Sequence, residues 1–331
     1  MTPVVTFFNN KGGVGKTSLV YHTAWMLSEM GRRVLALDLD PQANLTSAFL
    51  GEADLEKMWE PDAGPPRTVF QAVTPLLKVG DIIPPAAHTI TPYLHLIPGD
   101  LSLARFEDAL AEQWGKCLGG GEMYRPFRVT TAFWTLAQEV ARITSAEVIL
   151  FDVGPNLGAM NRAALVGTDY VVVPLAGDLF SIQGLRNLGP TLKQWRAEWK
   201  VRTDAYGAAA EFPLPSGAMK SVGYVVQQAE VRLDRPVKAY TRWMDRIPGE
   251  YRSSGLSDAP PVDRIEDDPE RLATVRHYRS LVAMAQEARK PVFLLRAADG
   301  ALGGHATAVR SAYEDFRLFS NRLLSRIGLS Q

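Results

Sequence analysis

The chain has 331 residues, of which 46% are hydrophobic and 22% charged, and its 36 Lys and Arg balance its 36 Asp and Glu. This composition is ordinary for a globular protein that buries a sizeable core. The single cysteine, Cys117, excludes an internal disulfide framework and fits a reducing compartment. The chain shows no signal-peptide pattern and no run of 18 or more apolar residues, so we expect a cytoplasmic protein without a membrane anchor.

The balanced charge is unevenly spread. Residues 1–185 hold 13 basic and 19 acidic side chains, whereas residues 186–331 hold 23 basic and 17 acidic ones. Two interpretations stay open. A basic C-terminal half can form a footprint for a polyanion such as DNA, and a mixed surface of this size also fluctuates by several charges.

Strand-like apolar runs alternate with helical periods, which predicts an α/β fold: a doubly wound, mostly parallel sheet with helices on both faces. The predicted strands cover residues 4–8, 34–39, 94–98, 148–152, 170–175, 222–226 and 292–295. The predicted helices cover residues 16–30, 101–110, 128–144 and 305–327. We predict a single domain over residues 1–331 with three insertions: 52–91, 112–127 as a mobile loop, and 230–270 as mixed helices and loops.

A glycine-rich run lies between the first predicted strand and the first predicted helix. It consists of Lys11-Gly12-Gly13-Val14-Gly15-Lys16-Thr17, and Ser18 follows it. Glycines let backbone N–H groups turn inward around phosphate oxygens, a lysine after them reaches the terminal phosphates, and a hydroxyl after that ligates Mg²⁺. The amino end of the following helix adds positive potential. The run departs from the general P-loop pattern, since Asn10 stands where that pattern has its first glycine. Residues 11–18 are therefore predicted to bind a nucleotide phosphate.

Acidic residues follow two of the predicted strands. Asp152 closes the apolar run 148–151, which is the Walker B arrangement, and a carboxylate there holds Mg²⁺ beside Thr17. Asp38 and Asp40 lie at the carboxyl end of the second strand, where open α/β sheets place their ligands. The alternative for each acid is a cap on the following helix.

The run with its extra lysine resembles the deviant Walker A motif of the ParA/MinD ATPase family, and is most similar to that of the ParA/Soj-like partition ATPases. The segment Asp38-Leu39-Asp40-Pro41-Gln42 matches the D-x-D-P-Q of that family. The resemblance implies that Lys11 reaches across a dimer interface to the nucleotide of the other subunit. It also implies that Asp40 orients the attacking water, as a catalytic residue with Lys11 and Lys16. Asp38 then supports the Mg²⁺ shell formed at Thr17 and Asp152.

Two segments depart from the family. Where the family has D-T-P-P, this chain has Asp152-Val153-Gly154-Pro155, so a hydroxyl is missing, although Gly154 can still offer its N–H to a terminal phosphate. The positions of the family's Pro-x-Asn, which lies near the base, fall on His277 and Arg279. We therefore predict that other groups hold the base, with Gln227 and Gln228 as candidates, and surface glutamines remain the alternative.

The resemblance implies a slow, partner-stimulated ATPase that uses ATP and Mg²⁺, forms an ATP-dependent homodimer and binds DNA non-specifically. Such a switch acts in plasmid or chromosome partition or in cargo positioning, and would be nucleoid-associated. The alternative is a regulatory ATPase of the same family that controls a protein effector, for example in anti-phage defence. The three insertions favour that alternative, because added segments often carry partner surfaces.

Overall fold

The computed structural model describes residues 1–59, 64–119, 121–207, 210–227, 237–276, 278 and 280–329, with the backbone alone for 237–240. An eight-stranded sheet runs through it in the order β3-β4-β2-β5-β1-β6-β7-β8. The strands are β1 (Val4–Phe7), β2 (Val34–Asp38), β3 (His88–Thr91), β4 (Leu94–Ile97), β5 (Val148–Asp152), β6 (Tyr170–Ala176), β7 (Lys220–Gln227) and β8 (Arg271–Val275).

All neighbouring strands are parallel except β3, which pairs antiparallel with β4 at one edge. Strands β1, β2 and β5 are buried at every position, as expected for strands covered on both faces. In the register of β2 and β5, Asp38 lies directly opposite Asp152. Two acids that are 114 positions apart in the sequence therefore lie side by side at the carboxyl edge of the sheet.

Helices cover both faces of this sheet, each over its own apolar cluster. The helices are α1 (Lys16–Glu29), α2 (Asn44–Phe49), α3 (Glu52–Trp59), α4 (Val69–Val73), α5 (Glu107–Lys116), α6 (Tyr124–Thr130), α7 (Ala132–Thr144), α8 (Ala159–Val166), α9 (Leu179–Tyr206), α10 (Val237–Met244), α11 (Ile247–Ser253), α12 (Ser280–Ala288) and α13 (Gly304–Arg326). Among the residues that the structure describes, none of the helices is long and apolar enough to span a membrane. The predicted doubly wound α/β architecture is confirmed.

The prediction of a last strand at residues 292–295 is wrong. Val292–Leu294 forms a short 3₁₀ helix, and the edge strand is β8. The apolar run is buried because it packs on α1 and α13, and the Val292 N–H donates to His22 Nε2 at 3.2 Å. His22 in turn donates from Nδ1 to the Ser18 carbonyl at 2.7 Å and stacks on Phe316. Burial lowers the pKa of His22 to about 4, so the ring is neutral at pH 7.

The predicted insertions are more ordered than the sequence indicates. Residues 112–116 and 124–127 are helical, in α5 and α6, so the prediction of a mobile loop over 112–127 is wrong at both of its ends. The segment 52–91 contributes a sheet strand, β3, besides its short helices. In the described part of 230–270, a buried ion pair joins Arg252 to Asp268 at 2.7 Å, and the Tyr224 hydroxyl donates to the same carboxylate.

Helix α9 is the longest helix described, at 28 residues, and it starts beside the glycine-rich loop. Asp178 caps its amino end by accepting the Ser181 N–H at 2.8 Å. Gly184 allows close packing, because a Cβ there would lie 2.7 Å from Asn9 Oδ1. The first turns of α9 are therefore packed directly against the loop that follows β1.

Candidate nucleotide site

The glycine-rich loop has the backbone conformation that its glycines permit. Gly13 and Gly15 have φ of 72° and 68°, in the left-handed region that other residues rarely adopt. Gly15 also has no room for a side chain, since a Cβ there would lie 2.0 Å from Gln227 Nε2. Helix α1 begins immediately after it, at Lys16. The loop thus presents its N–H groups at the amino end of a helix, which is the general arrangement of an anion site.

Lys16 lies inside this loop with its charge partly desolvated. The side chain is 7% exposed, and its ammonium donates to the Lys11 carbonyl at 3.2 Å. Burial lowers the pKa of Lys16, and the charges of Asp152 and Asp40 oppose that shift. Among the described residues this ammonium has one hydrogen-bond acceptor, a backbone carbonyl, and it has acids nearby, so it is well placed to gain from an incoming phosphate.

Asp38 and Asp152 share the sheet edge but differ in their hydrogen bonding. One oxygen of Asp38 accepts from the Thr46 N–H at 2.8 Å and from its hydroxyl at 2.7 Å, and the other accepts the Asp40 N–H at 3.2 Å. Burial raises the pKa of Asp38 to about 6 despite these bonds. Asp38 therefore fastens the start of α2 to the end of β2.

Asp152, in contrast, is fully buried and neither of its carboxylate oxygens has a hydrogen-bond partner among the described residues. Burial and the nearby charge of Asp38 raise its pKa well above the usual range. Thr17 lies near enough to lower that pKa in part, yet it makes no hydrogen bond of normal geometry to the carboxylate. A buried carboxylate without a partner is costly, and a bound cation would satisfy it.

This donor set fits Mg²⁺. Asp152 and the Thr17 hydroxyl supply hard oxygen atoms next to a phosphate loop, which is the chemistry that Mg²⁺ prefers. Within the described part of the chain, no three His, Cys, Asp or Glu side chains are grouped to hold a metal by themselves. Mg²⁺ ordinarily keeps several waters and takes phosphate oxygens, so one or two protein ligands suffice.

The segment that follows β5 lies over the loop and beside Asp40. A Cβ on Gly154 would lie 3.5 Å from the Asp40 carboxylate, and a Cβ on Gly12 would lie 4.0 Å from Pro155. Asp40 is almost buried and accepts the Gln42 N–H at 3.0 Å, which orients its carboxylate. The structure thus brings Gly12, Asp40 and Gly154 together, and their contacts with a terminal phosphate stay a prediction.

Lys11 has a partner within its own chain. Its ammonium forms an ion pair with Asp178 and lies 3.5 Å from the Ser181 hydroxyl. Burial alone would raise the pKa of Asp178, but hydrogen bonds from Lys11 and Ser181 outweigh it and the pKa is lowered. Sequence reasoning missed Asp178, although an acid just beyond a parallel strand was an available signal. The predicted reach of Lys11 to another subunit stays a prediction.

A cavity of about 620 Å³ opens from the loop toward β8 and α12. Thr17, Ser18 and Gln227 line its loop end, and the far end includes apolar side chains such as Val282 and Phe316. Its size and mixed lining suit a small organic ligand. Gln227 contacts the loop through Gly15, so its predicted contact with the base stays a prediction. Gln228, His277 and Arg279 lie outside the described residues.

A protein-family model described as "AAA domain" matches residues 2–204, which is more than half of the chain. The chain belongs to the ParA/MinD family. Cell division protein PomZ of Myxococcus xanthus (strain DK1622) is 31% identical over 189 residues, covering 56% of this chain and 50% of PomZ. Chromosome partitioning protein ParA of Caulobacter vibrioides (strain NA1000 / CB15N) is 29% identical over 205 residues, covering 62% of this chain and 67% of that protein.

The chain spans about half the length of several curated relatives that it matches. Among solved structures, that of protein DIP2308 from Corynebacterium diphtheriae is similar with a TM-score of 0.71 at 24% identity, covering 98% of this chain and 99% of that one. This likeness concerns the fold alone. The ParA/MinD membership and the doubly wound P-loop fold therefore agree with the predictions from the sequence, and the roles of single residues remain proposals.

Proposed function

We propose that this ParA/MinD-family chain is an ATP-dependent molecular switch that binds and slowly hydrolyses Mg²⁺-ATP. The observation that carries the proposal is the unpartnered, fully buried carboxylate of Asp152 beside the phosphate loop. A buried carboxylate without a partner lowers the stability of the free protein, and a cation that arrives with the nucleotide supplies the missing partner. The left-handed glycines of the loop and the buried Lys16 supply the matching phosphate contacts.

In this proposal each residue has a separate task. The N–H groups of residues 12–16 and the Lys16 ammonium bind the phosphates. Thr17 and Asp152 hold Mg²⁺. Asp38, which is itself held by its hydrogen bonds to Thr46, supports the shell around that ion. Bound Mg²⁺ neutralises charge on the phosphates during transfer. Asp40 orients the attacking water, and Gly154 donates its N–H toward the terminal phosphate. Little covalent work is required of the protein, because positioning and charge neutralisation dominate this reaction.

The ATP-bound chain is proposed to form a homodimer through the face that carries Lys11. Exposed apolar side chains lie next to that residue: Leu179 is 51% and Phe180 71% exposed. Lys11 would leave Asp178 and contact the nucleotide of the second subunit. The side chains of the ion pair that holds Lys11 are partly exposed, 22% for Lys11 and 31% for Asp178, so the cost of opening the pair is small, about 0–1 kcal/mol.

Non-specific DNA binding and stimulation by a partner protein complete the proposal, which places the chain in partition or cargo positioning. The excess of basic residues in the C-terminal half supports a DNA contact, and exposed basic residues include Lys193 on α9 and Arg310 on α13. Contacts to DNA phosphates alone would make the binding steeply dependent on salt and indifferent to base sequence.

The dimer is tested by light scattering with size-exclusion chromatography, using Mg²⁺ and ATPγS or ADP. The wild type should change from monomer to dimer with ATPγS alone, and Lys11→Ala should remain monomeric while still binding the nucleotide. Lys193→Ala, which removes an exposed lysine far from the loop, is the matched control and should dimerise normally. Dimerisation of Lys11→Ala at wild-type affinity would refute the proposed trans contact.

The DNA contact is tested by filter binding of wild type with ATPγS to duplexes of two unrelated sequences, across 50–200 mM salt. We expect equal retention of both duplexes and a loss of about 10³-fold or more in affinity over that range for six phosphate contacts. No retention at low salt would reject DNA binding. In that case, a pull-down would use Asp40→Ala, the variant expected to bind ATP without hydrolysing it. Specific recovery of one protein would support control of a protein effector.

A further inference from the structure

The amino end of α8 is capped by a side chain from another helix. Its N-cap residue, Gly158, has no side chain with which to accept the first N–H groups of the helix. Glu107, the first residue of α5, accepts them instead: one carboxylate oxygen lies 2.5 Å from the Ala159 nitrogen and the other 2.9 Å from that of Met160. A carboxylate at this position also complements the helix dipole.

The fit between Glu107 and this helix end leaves no space. A Cβ on Gly158 would lie 2.5 Å from Glu107 Oε1, so only glycine admits the carboxylate at this distance. Asn161, a residue of α8, binds the backbone of the segment that precedes this helix. Its amide donates to the Gly154 carbonyl at 2.8 Å and to the Asn156 carbonyl at 2.7 Å. Residues 153–158 are therefore held at their far end by Glu107 and across their middle by Asn161.

The near end of this segment faces the candidate nucleotide site. It starts at the unpartnered Asp152, and it places Gly154 beside Asp40 and Pro155 beside Gly12. A shift of the α8 amino end would therefore move Gly154, whose N–H is proposed to point at the terminal phosphate. A displacement of about 1 Å in such a contact is enough to impair a phosphoryl-transfer site.

We infer that Glu107 is a positioning residue of the nucleotide site, which sets the geometry of residues 153–158 and so the preference for a triphosphate over a diphosphate. This inference rests on the proposed function and adds to it a residue from α5, outside the family's nucleotide motifs discussed above. Both carboxylate oxygens of Glu107 are taken up by N–H groups at the amino end of α8. Glu107 acts through the backbone of Ala159 and Met160, and therefore affects contacts to the terminal phosphate without affecting those made by the loop of residues 11–17.

The test compares Glu107→Gln with Glu112→Gln on the same helix. The glutamine keeps the length of the side chain but replaces one acceptor oxygen by an NH₂ group that meets an N–H donor. Glu112 is exposed and pairs with Lys116 at 2.6 Å, so its substitution removes a carboxylate from α5 without touching α8. Affinities for Mg²⁺-ATPγS and Mg²⁺-ADP are measured by isothermal titration calorimetry, and amide exchange of residues 154–160 by mass spectrometry.

For Glu107→Gln we expect about 3–10-fold weaker binding of ATPγS, as the loss of one hydrogen bond implies, with the ADP affinity unchanged. Residues 154–160 should exchange faster, and the KM for ATP should rise by the same factor as the ATPγS dissociation constant, because KM equals that constant when turnover is slow. Glu112→Gln should match the wild type in every measurement. The affinities for ATPγS and ADP are measured on the same sample of each protein. A general loss of stability therefore affects both affinities and cancels in their ratio.

Two negative results are distinguishable. If the wild type binds both nucleotides and Glu107→Gln keeps the wild-type affinity ratio, the inference is overturned and the proposed function stands. That result includes an equal weakening of ATPγS and ADP, which leaves the ratio unchanged and indicates general damage to the site. If the wild type binds neither nucleotide, the proposed function itself fails and the inference falls with it.

Discussion

Replacing Asp152 by Asn should stabilise the metal-free protein and abolish its response to Mg²⁺-nucleotide. The wild-type carboxylate is fully buried with neither oxygen hydrogen-bonded, and its pKa is raised, so its charge costs stability. Asn keeps a buried polar group, which still costs about 1–3 kcal/mol, but removes the charge. Allowing for the lost attraction to Lys16, we expect a net gain of about 1 kcal/mol, or a rise in Tm of about 1–2 °C for a chain of this length.

Mg²⁺ with ATPγS should reverse the order of stability, so that the wild type becomes more stable than Asp152→Asn. At 100 times the dissociation constant a ligand stabilises the wild type by about 2.7 kcal/mol, whereas Asp152→Asn lacks the carboxylate that holds Mg²⁺ and should gain much less. The assay is thermal unfolding in EDTA and again with Mg²⁺ and ATPγS. Asp204→Asn, which removes an exposed acid paired with Lys200, is the control and should follow the wild type in both buffers.

Two results would refute the reasoning. A metal-free Asp152→Asn protein less stable than the wild type would show that the carboxylate is a structural acid with a stabilising partner. A variant that keeps the full stabilisation by Mg²⁺-ATPγS would show that the metal is held elsewhere. If Asp152 belongs to a ligand site, the variant is the more stable protein in EDTA and the wild type is the more stable one with Mg²⁺ and ATPγS. A structural acid would not give this change of order.

Three further predictions concern residues around the site and its scaffold. Arg252→Leu leaves the buried Asp268 without its cation and should lower the free energy of unfolding by about 3–5 kcal/mol, measured by urea denaturation; a loss below about 1 kcal/mol would contradict the buried ion pair. His22 has a folded pKa of about 4, below its unfolded value, so the unfolded state binds more protons and stability should fall from pH 7 to pH 4 by about 3 kcal/mol from this group. His22→Gln should remove that part of the pH dependence, and curves parallel to the wild type would refute it. Asp178→Asn keeps an N-cap for α9 but releases Lys11, so nucleotide affinity should rise while Tm changes by less than about 3 °C; weaker binding of ATPγS in calorimetry would contradict this.

Much of the fold could be predicted because its signals are local. The buried strands β1, β2 and β5 are four or five residues long and apolar except for Thr6, Asp38 and Asp152. The loop after β1 carries Gly13 and Gly15, whose left-handed backbone conformation favours glycine. The run at 292–295 misled the prediction for the same reason: a short apolar segment has no period that separates a strand from a buried 3₁₀ turn. Its place was fixed by His22, 270 positions away.

The parts of the site that were missed depend on contacts between distant segments. Nothing in the sequence indicates that Glu107 caps α8, because the two are joined only by the packing of α5 on α8. The pairing of Lys11 with Asp178 also spans 167 positions. Periodicity and motifs identify the residues that face phosphate, but they give no information about which side chains hold those residues in place. The extent of the single domain stays a prediction.

The central claim is that the chain binds a nucleotide through Mg²⁺ at the loop of residues 11–17. The most direct measurement is calorimetric titration of ATPγS into the wild type and Lys16→Ala, each with Mg²⁺ and with EDTA. We expect one site per chain, micromolar affinity that depends on Mg²⁺, and loss of binding in Lys16→Ala. Saturable binding that is unchanged by EDTA or by Lys16→Ala, or no binding at millimolar nucleotide, would contradict the account.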